Sequence, residues 1–168
     1  MVCDPGSLLN LLATGHAADL IGPRRLLLGP LARAEPLFIY EDATRVRRLC
    51  INEALLGAEG VNAIGTDMAP EEIAEAIRLA TRMGDAEAEA VAIASVRGIG
   101  IISDDVAVGM AAERAKQAHE TTLRLLFDWG VRQPGEAVHV ALASLRARAS
   151  FVPPSTDRLR SWFMSNST

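Results

Sequence analysis

The sequence predicts an α/β protein, a parallel sheet whose strands are joined by helices. Short apolar, β-preferring runs stand well apart in the chain: Val2-Cys3, Leu37-Phe38-Ile39-Tyr40 and Ile99 to Ser103. Helical patterns fill the intervals, which is what parallel strands require, because their connections must cross the sheet. Each run also ends directly in acid, at Asp4, at Glu41-Asp42 and at Asp104-Asp105.

The 168 residues suffice for one domain with a single sizeable core. With 49% hydrophobic and 23% charged residues, composition is that of an ordinary globular chain. Aromatics are only 4%, so the core must be built from Leu, Ile, Val and Ala. A net charge of −4 removes any argument for nucleic-acid binding from bulk charge, although a local basic rim remains compatible with it. Two cysteines, Cys3 and Cys50, make no disulfide framework and point to a reducing compartment. The start of the chain does not read as a signal peptide, since Asp4 interrupts it at once. No apolar run reaches membrane-spanning length; Leu26 to Leu31 is far too short. The expectation is a soluble cytoplasmic protein with no membrane partner.

In order, Asp4-Pro5-Gly6 stops the first strand, and Ser7 is placed to cap a helix from Leu8 to Thr14 that Gly15 ends. Ala17 to Ile21 forms a second short apolar piece closed by Gly22-Pro23. Leu26 to Ala34 reads as helix. After the strand at Leu37 to Tyr40, Val46, Cys50, Ile51, Ala54 and Leu55 recur at helical spacing, up to Gly57-Ala58-Glu59-Gly60. Val61 to Ala69 reads as a loop or short helix. Pro70-Glu71-Glu72 opens a helix with Ile73, Ile77 and Ala80 on one face, and Gly84 closes it. Asp85 to Val96 is the next helix, then the strand at Ile99. Helix follows from Val106 to Gln117, then a loop or weak edge strand at His119 to Thr122. Leu123 to Gly130, Pro134 to Leu145 and Asp157 to Phe163 are helical, the last capped by Ser155-Thr156, and the tail from Ser165 frays.

In a parallel sheet all C-terminal strand ends share one edge, where ligands of open α/β sheets bind. A crossover helix runs back along the sheet, so the helix that begins at Asp85 starts near that same edge. Asp85, Glu87 or Glu89 can face it, and periodicity does not choose among them. Carboxylates gathered there repel one another unless some protonate or a cation intervenes. Such an oxygen-rich set suits Mg²⁺ or Mn²⁺, ions that can activate water and steady a leaving oxygen in phosphodiester cleavage. For each acid taken singly, helix capping is the plainer alternative.

Asp4 before an apolar helix, Ile39-Tyr40-Glu41-Asp42, Asp85-Ala86-Glu87-Ala88-Glu89-Ala90 and Ile102-Ser103-Asp104-Asp105 occur in this order. That series resembles the PIN-domain family, in particular its small prokaryotic members. The resemblance covers about residues 1–152, with 153–168 as the C-terminal helix and tail of the same domain. It implies a three-layer α/β/α fold with a central parallel sheet. It further implies an endoribonuclease dependent on Mg²⁺ or Mn²⁺, often the toxin of a toxin–antitoxin pair, with RNA as substrate and an antitoxin protein as partner. Carried over by position, Asp4, Asp42, Glu87 and Asp105 would be the metal-binding quartet, with Asp104 also at the metal. Glu41, Asp85 and Glu89 stand as substitutes.

Ser7 and Thr122 could touch substrate phosphate, and Arg45 and Arg48 could line an RNA path, although solvated helix faces explain such arginines as well. Trp129 and Trp162 read as packing anchors. A homodimer through apolar helical faces is compatible with the sequence. Two rival functions stand beside the nuclease. A non-catalytic nucleic-acid-binding or interaction module would use the same fold. A phosphatase would use Asp4 as nucleophile, against which Gly6 occupies the place of its second Asp.

Overall fold

The structure is a computed structural model that describes residues 1–167. In chain order its elements are β1 (Val2–Cys3), α1 (Pro5–Ala13), α2 (Ala17–Ile21), β2 (Leu26–Leu28), α3 (Pro30–Ala34), β3 (Phe38–Tyr40), β4 (Arg48–Cys50), α4 (Glu53–Ala58) and β5 (Ala63–Gly65). They continue as α5 (Pro70–Leu79), α6 (Asp85–Arg97), β6 (Ile101–Ile102), α7 (Val106–Arg114), β7 (His119–Glu120), α8 (Thr122–Gly130), α9 (Gly135–Ala149) and α10 (Arg160–Asn166). A five-stranded parallel sheet combined with these helices is the α/β class expected, consistent with three α/β/α layers. The chain divides into two compact units.

The first unit comprises Met1–Leu8, Pro23–Glu35 and Asn62–Thr121 and contains the whole parallel sheet, in the order β5-β2-β1-β6-β7. The first strand is central, the next two lie to one side and the last two to the other. The chain therefore reverses its direction of travel between β1 and β6, where Val2 pairs with Ile101 and Cys3 with Ile102. Helix α6 is buried without interruption from Ala88 to Ala94. A helix enclosed on every side must be apolar all round and slim, which its alanines provide. Glu89 is the one charged residue in that buried run. Gly98 ends the helix at φ +63°, a left-handed conformation that a Cβ disfavours.

Several expectations change here. Leu26 to Ala34 is not one helix: three leucines form β2, and Gly29-Pro30 starts the short α3. Val61 to Ala69 holds β5, an edge strand paired in register with β2. On α5 the stripe of Ile73, Ile77 and Ala80 is exposed, and the inward positions are Glu72 and Leu79 with half-buried Ala76 between them. A buried glutamate is tolerated there because it is fully engaged. Its oxygens accept from Arg97 Nε at 2.6 Å and Nη2 at 3.0 Å, and from the Ala69 N–H at 2.8 Å. The Arg97 guanidinium accordingly holds the Glu72 carboxyl below the usual range. Gly84 does not close α5, which stops at Leu79; it precedes α6 as its N-cap residue.

The second unit comprises Leu9–Gly22, Pro36–Val61 and Thr122–Thr168. It takes all of α1 beyond the first turn. The strand expected at Leu37 to Tyr40 is present as β3, yet it is not a member of the parallel sheet: it pairs antiparallel with β4 in a two-stranded ribbon, Phe38 opposite Cys50 and Tyr40 opposite Arg48. The helical reading of Val46 to Leu55 is corrected with it. Arg45 turns the chain at φ +56°, so only Glu53–Ala58 is helical. Phe38 and Tyr40 give the ribbon its strand character, with Arg48 over the Phe38 ring at 4.2 Å and Arg45 over the Tyr40 ring at 5.6 Å. Arg148 of α9 donates to the Tyr40 carbonyl at 3.1 Å. Trp129 is buried and Trp162 packs edge-on against Phe127, both as anchors. Helix α10 begins at Arg160 and continues to Asn166, past the point where fraying was expected, and Thr168 lies outside the described residues.

Candidate functional site

Asp4 and Asp104 follow the neighbouring strands β1 and β6, at the point where the strand order reverses. This is the position at which open α/β sheets bind ligands. Asp4 is only 3% exposed. It is the N-cap of α1: its Oδ1 accepts from the Ser7 N–H at 2.9 Å. Ser7, expected as the cap, is instead the third helical residue, because Pro5 can start a helix directly.

Two serines tie this carboxylate to the end of the next strand. Ser7 Oγ donates to Asp4 Oδ2 at 2.9 Å and accepts from the Asp104 N–H at 2.7 Å. Ser103 also hydrogen-bonds Asp4, and its Oγ accepts from the Asp105 N–H at 3.2 Å. Burial pushes the Asp4 carboxyl up to about 6, with Asp104 adding to the rise while the bonds from Ser103 and Ser7 oppose it. Cys3, fully buried in β1 beside this pair, has its thiol raised well above the usual range by burial and by both carboxylates.

A linkage follows from the raised Asp4. In chelator-containing buffer the folded protein holds a proton on Asp4 up to about pH 6, whereas the unfolded chain releases it near 3.8. Stability from this group is therefore full below pH 3.8 and lost as pH rises through 6, a difference of about 3 kcal/mol. The unfolding free energy of wild type relative to Asp4→Asn, measured by urea titration, should fall by about that amount between pH 4 and pH 7. A pH-independent difference would contradict a buried Asp4 carboxyl raised to about 6.

The remaining acids are distributed as follows. Asp105 caps α7, its Oδ1 accepting from the Ala107 N–H at 2.7 Å and the Val108 N–H at 3.0 Å. Glu89 is turned inward and caps α3. Gly29 has no side chain to offer and Pro30 no N–H, so the Glu89 carboxylate accepts from the Leu31 N–H at 3.0 Å and the Ala32 N–H at 3.4 Å. It lies where a side chain on Gly29 would be, 2.0 Å from the position a Cβ would take. This contact places the first half of α6 beside the C-terminal end of β2, as chain direction required. Glu87 is half-buried and folds back over Gly84, and Asp85 is exposed; both line a groove with Leu31 and Glu35.

Asp42 and Glu41 belong to the turn of the antiparallel ribbon in the second unit, not to a parallel strand end. Asp42 accepts from the Thr44 hydroxyl and N–H, which hold it below its usual range. Glu41 pairs with Arg47 at 3.1 Å. Arg45 donates to the Ala147 carbonyl at 3.1 Å, and Thr122 is buried at the start of α8. Among the described residues no three of Asp, Glu, His and Cys form a metal-binding group. Ser103 was the residue not singled out; a hydroxyl on the last position before two strand-end acids was its signal.

No protein-family model, curated protein or solved structure matches the chain. No helix among the described residues is long and apolar enough to cross a membrane.

Proposed function

We propose that the protein is a metal-dependent hydrolase of RNA phosphodiester bonds, of PIN type, working in a reducing cytoplasm. The observation that carries this reading is the buried Asp4 beside Asp104 at the switch point of a parallel sheet. Keeping a carboxylate there in low dielectric, next to a second one, is costly without a compensating cation. The donors are hard oxygens, and Mg²⁺ commonly needs only one or two carboxylates, completing its shell with water and phosphate. Asp4 and Asp104 would hold the ion, with Ser7 and Ser103 orienting the Asp4 carboxylate and Ser7 anchoring the backbone at Asp104. The bound ion would supply charge neutralisation at the phosphate and an acidified water.

Asp104 replaces Asp105 as the favoured ligand, because Asp104 is the carboxylate that acts on Asp4, whereas Asp105 Oδ1 caps α7 through two N–H groups. An antitoxin protein and a homodimer remain part of the proposal as partners. The same capping roles favour a second reading, an interaction module on this fold without catalysis. Cleavage of single-stranded RNA by the purified protein with Mg²⁺ or Mn²⁺ separates the two. Under the nuclease reading cleavage stops with EDTA and with Asp104→Asn, and continues in Asp105→Asn. Metal-dependent cleavage that survives both Asp4→Asn and Asp104→Asn would rule out the site.

A further inference from the structure

Helices α5, α6 and α7 of the first unit enclose a groove of about 430 Å³. Leu79, Met83, Val91 and Met110 make its surface apolar. Met110 is 48% exposed, a large apolar side chain left open to solvent. The rim has the opposite character to the chain as a whole. The protein carries a net charge of −4, yet three arginines and a single glutamate line this groove. Arg78 is engaged by that glutamate, Glu75, through two bonds of 2.8 and 2.5 Å. Arg82, beyond the end of α5, and Arg114, in the last turn of α7, are exposed, and neither guanidinium has an ion-pair or hydrogen-bond partner among the described residues.

We propose that this groove receives an acidic amphipathic helix from a partner protein. Apolar side chains at i, i+3 or i+4, and i+7 of that helix would lie over Ala107 and Ala111 and between Met83 and Met110. Methionine suits such a surface because its unbranched thioether adapts to the shape placed on it. Carboxylates flanking the apolar stripe would pair with Arg82 and Arg114, which select charge sign and register. The proposal uses none of the residues assigned to RNA cleavage and stands whether or not the protein is a nuclease.

The test is selection on the full-length protein from a displayed library of amphipathic helical peptides whose charged positions are randomised, followed by binding measurements. Enriched peptides should carry Asp or Glu beside the apolar stripe and shift the Met83 and Met110 methyl resonances saturably. Their affinity should fall about tenfold or more in the Arg82→Glu/Arg114→Glu variant. Both arginines are exposed, so the fold should persist; Arg82→Gln/Arg114→Gln replaces that variant if it does not. Failure to enrich any peptide, enrichment of basic or uncharged ones, or affinity unchanged by both variants would overturn the proposal. So would saturable binding of hexadecanoate at the two methyls with no peptide binding, which would mark a lipid site.

Discussion

Asp4→Asn is expected to slow Mg²⁺- or Mn²⁺-dependent RNA cleavage about a thousandfold while leaving the fold in place. A thousandfold corresponds to about 4 kcal/mol of lost transition-state stabilisation, the scale of removing a group that positions a metal ion and the charge it neutralises. Structure should survive because asparagine caps a helix as well as aspartate does, and the Ser7 N–H keeps its acceptor. The Ser7 hydroxyl loses a charged acceptor, but the protein no longer buries a carboxylate that its surroundings push to about 6. These effects offset, so unfolding free energy at pH 7 should remain within about 2 kcal/mol of wild type. Cleavage and urea unfolding measured on the same preparation distinguish a lost centre from a lost fold. An active, normally folded Asp4→Asn would leave the nuclease reading without its central residue.

Glu89→Ala is expected to lower stability by about 3 kcal/mol without any need for Glu89 in catalysis. The Leu31 and Ala32 N–H groups lose their acceptor, and neither Gly29 nor Pro30 can replace it. For a chain of this length the loss corresponds to a melting temperature roughly 10 °C lower. Glu89→Gln keeps one carbonyl oxygen and should recover about half of the difference. A loss below about 1 kcal/mol in Glu89→Ala would show that water satisfies α3 as well as Glu89 does.

The sequence made the central part of the architecture readable. The runs at Val2 and Ile101 are short, apolar and far apart in the chain, and both stand in the parallel sheet that was predicted. Helices α6 to α9 were legible from Pro, Gly and apolar periodicity, whereas α5 was marked by Pro70 and its acids while its periodicity pointed to the wrong face. Leu26-Leu27-Leu28 was not, because three leucines carry no β-branched signal and favour helix locally; sheet pairing on both sides overrode that preference. The ribbon β3–β4 failed for a related reason. Its second strand, Arg48–Cys50, imitates a helical stripe, and nothing local marks Arg45 as a left-handed turn. Among the acids, strand-end position brought Asp4 and the Asp104-Asp105 pair to the ends of neighbouring parallel strands, but it misplaced Glu41-Asp42, which belong to the antiparallel ribbon. It could not show that Asp105 and Glu89 face helix N-termini, since that depends on α7 turning back at once and on α3 existing at all.

The arrangement at Gly29 also bears on how this chain can change over time. A side chain at position 29 and a carboxylate at position 89 compete for one volume, so neither position varies freely while the other is kept. Serine at 29 with alanine at 89 would move the acceptor from a distant helix onto the local backbone, the more usual solution. Each single step toward that pair passes through a worse state, one overcrowded and the other uncapped. The two positions form an epistatic pair, and diverged copies of this chain should preserve one combination or the other as a unit.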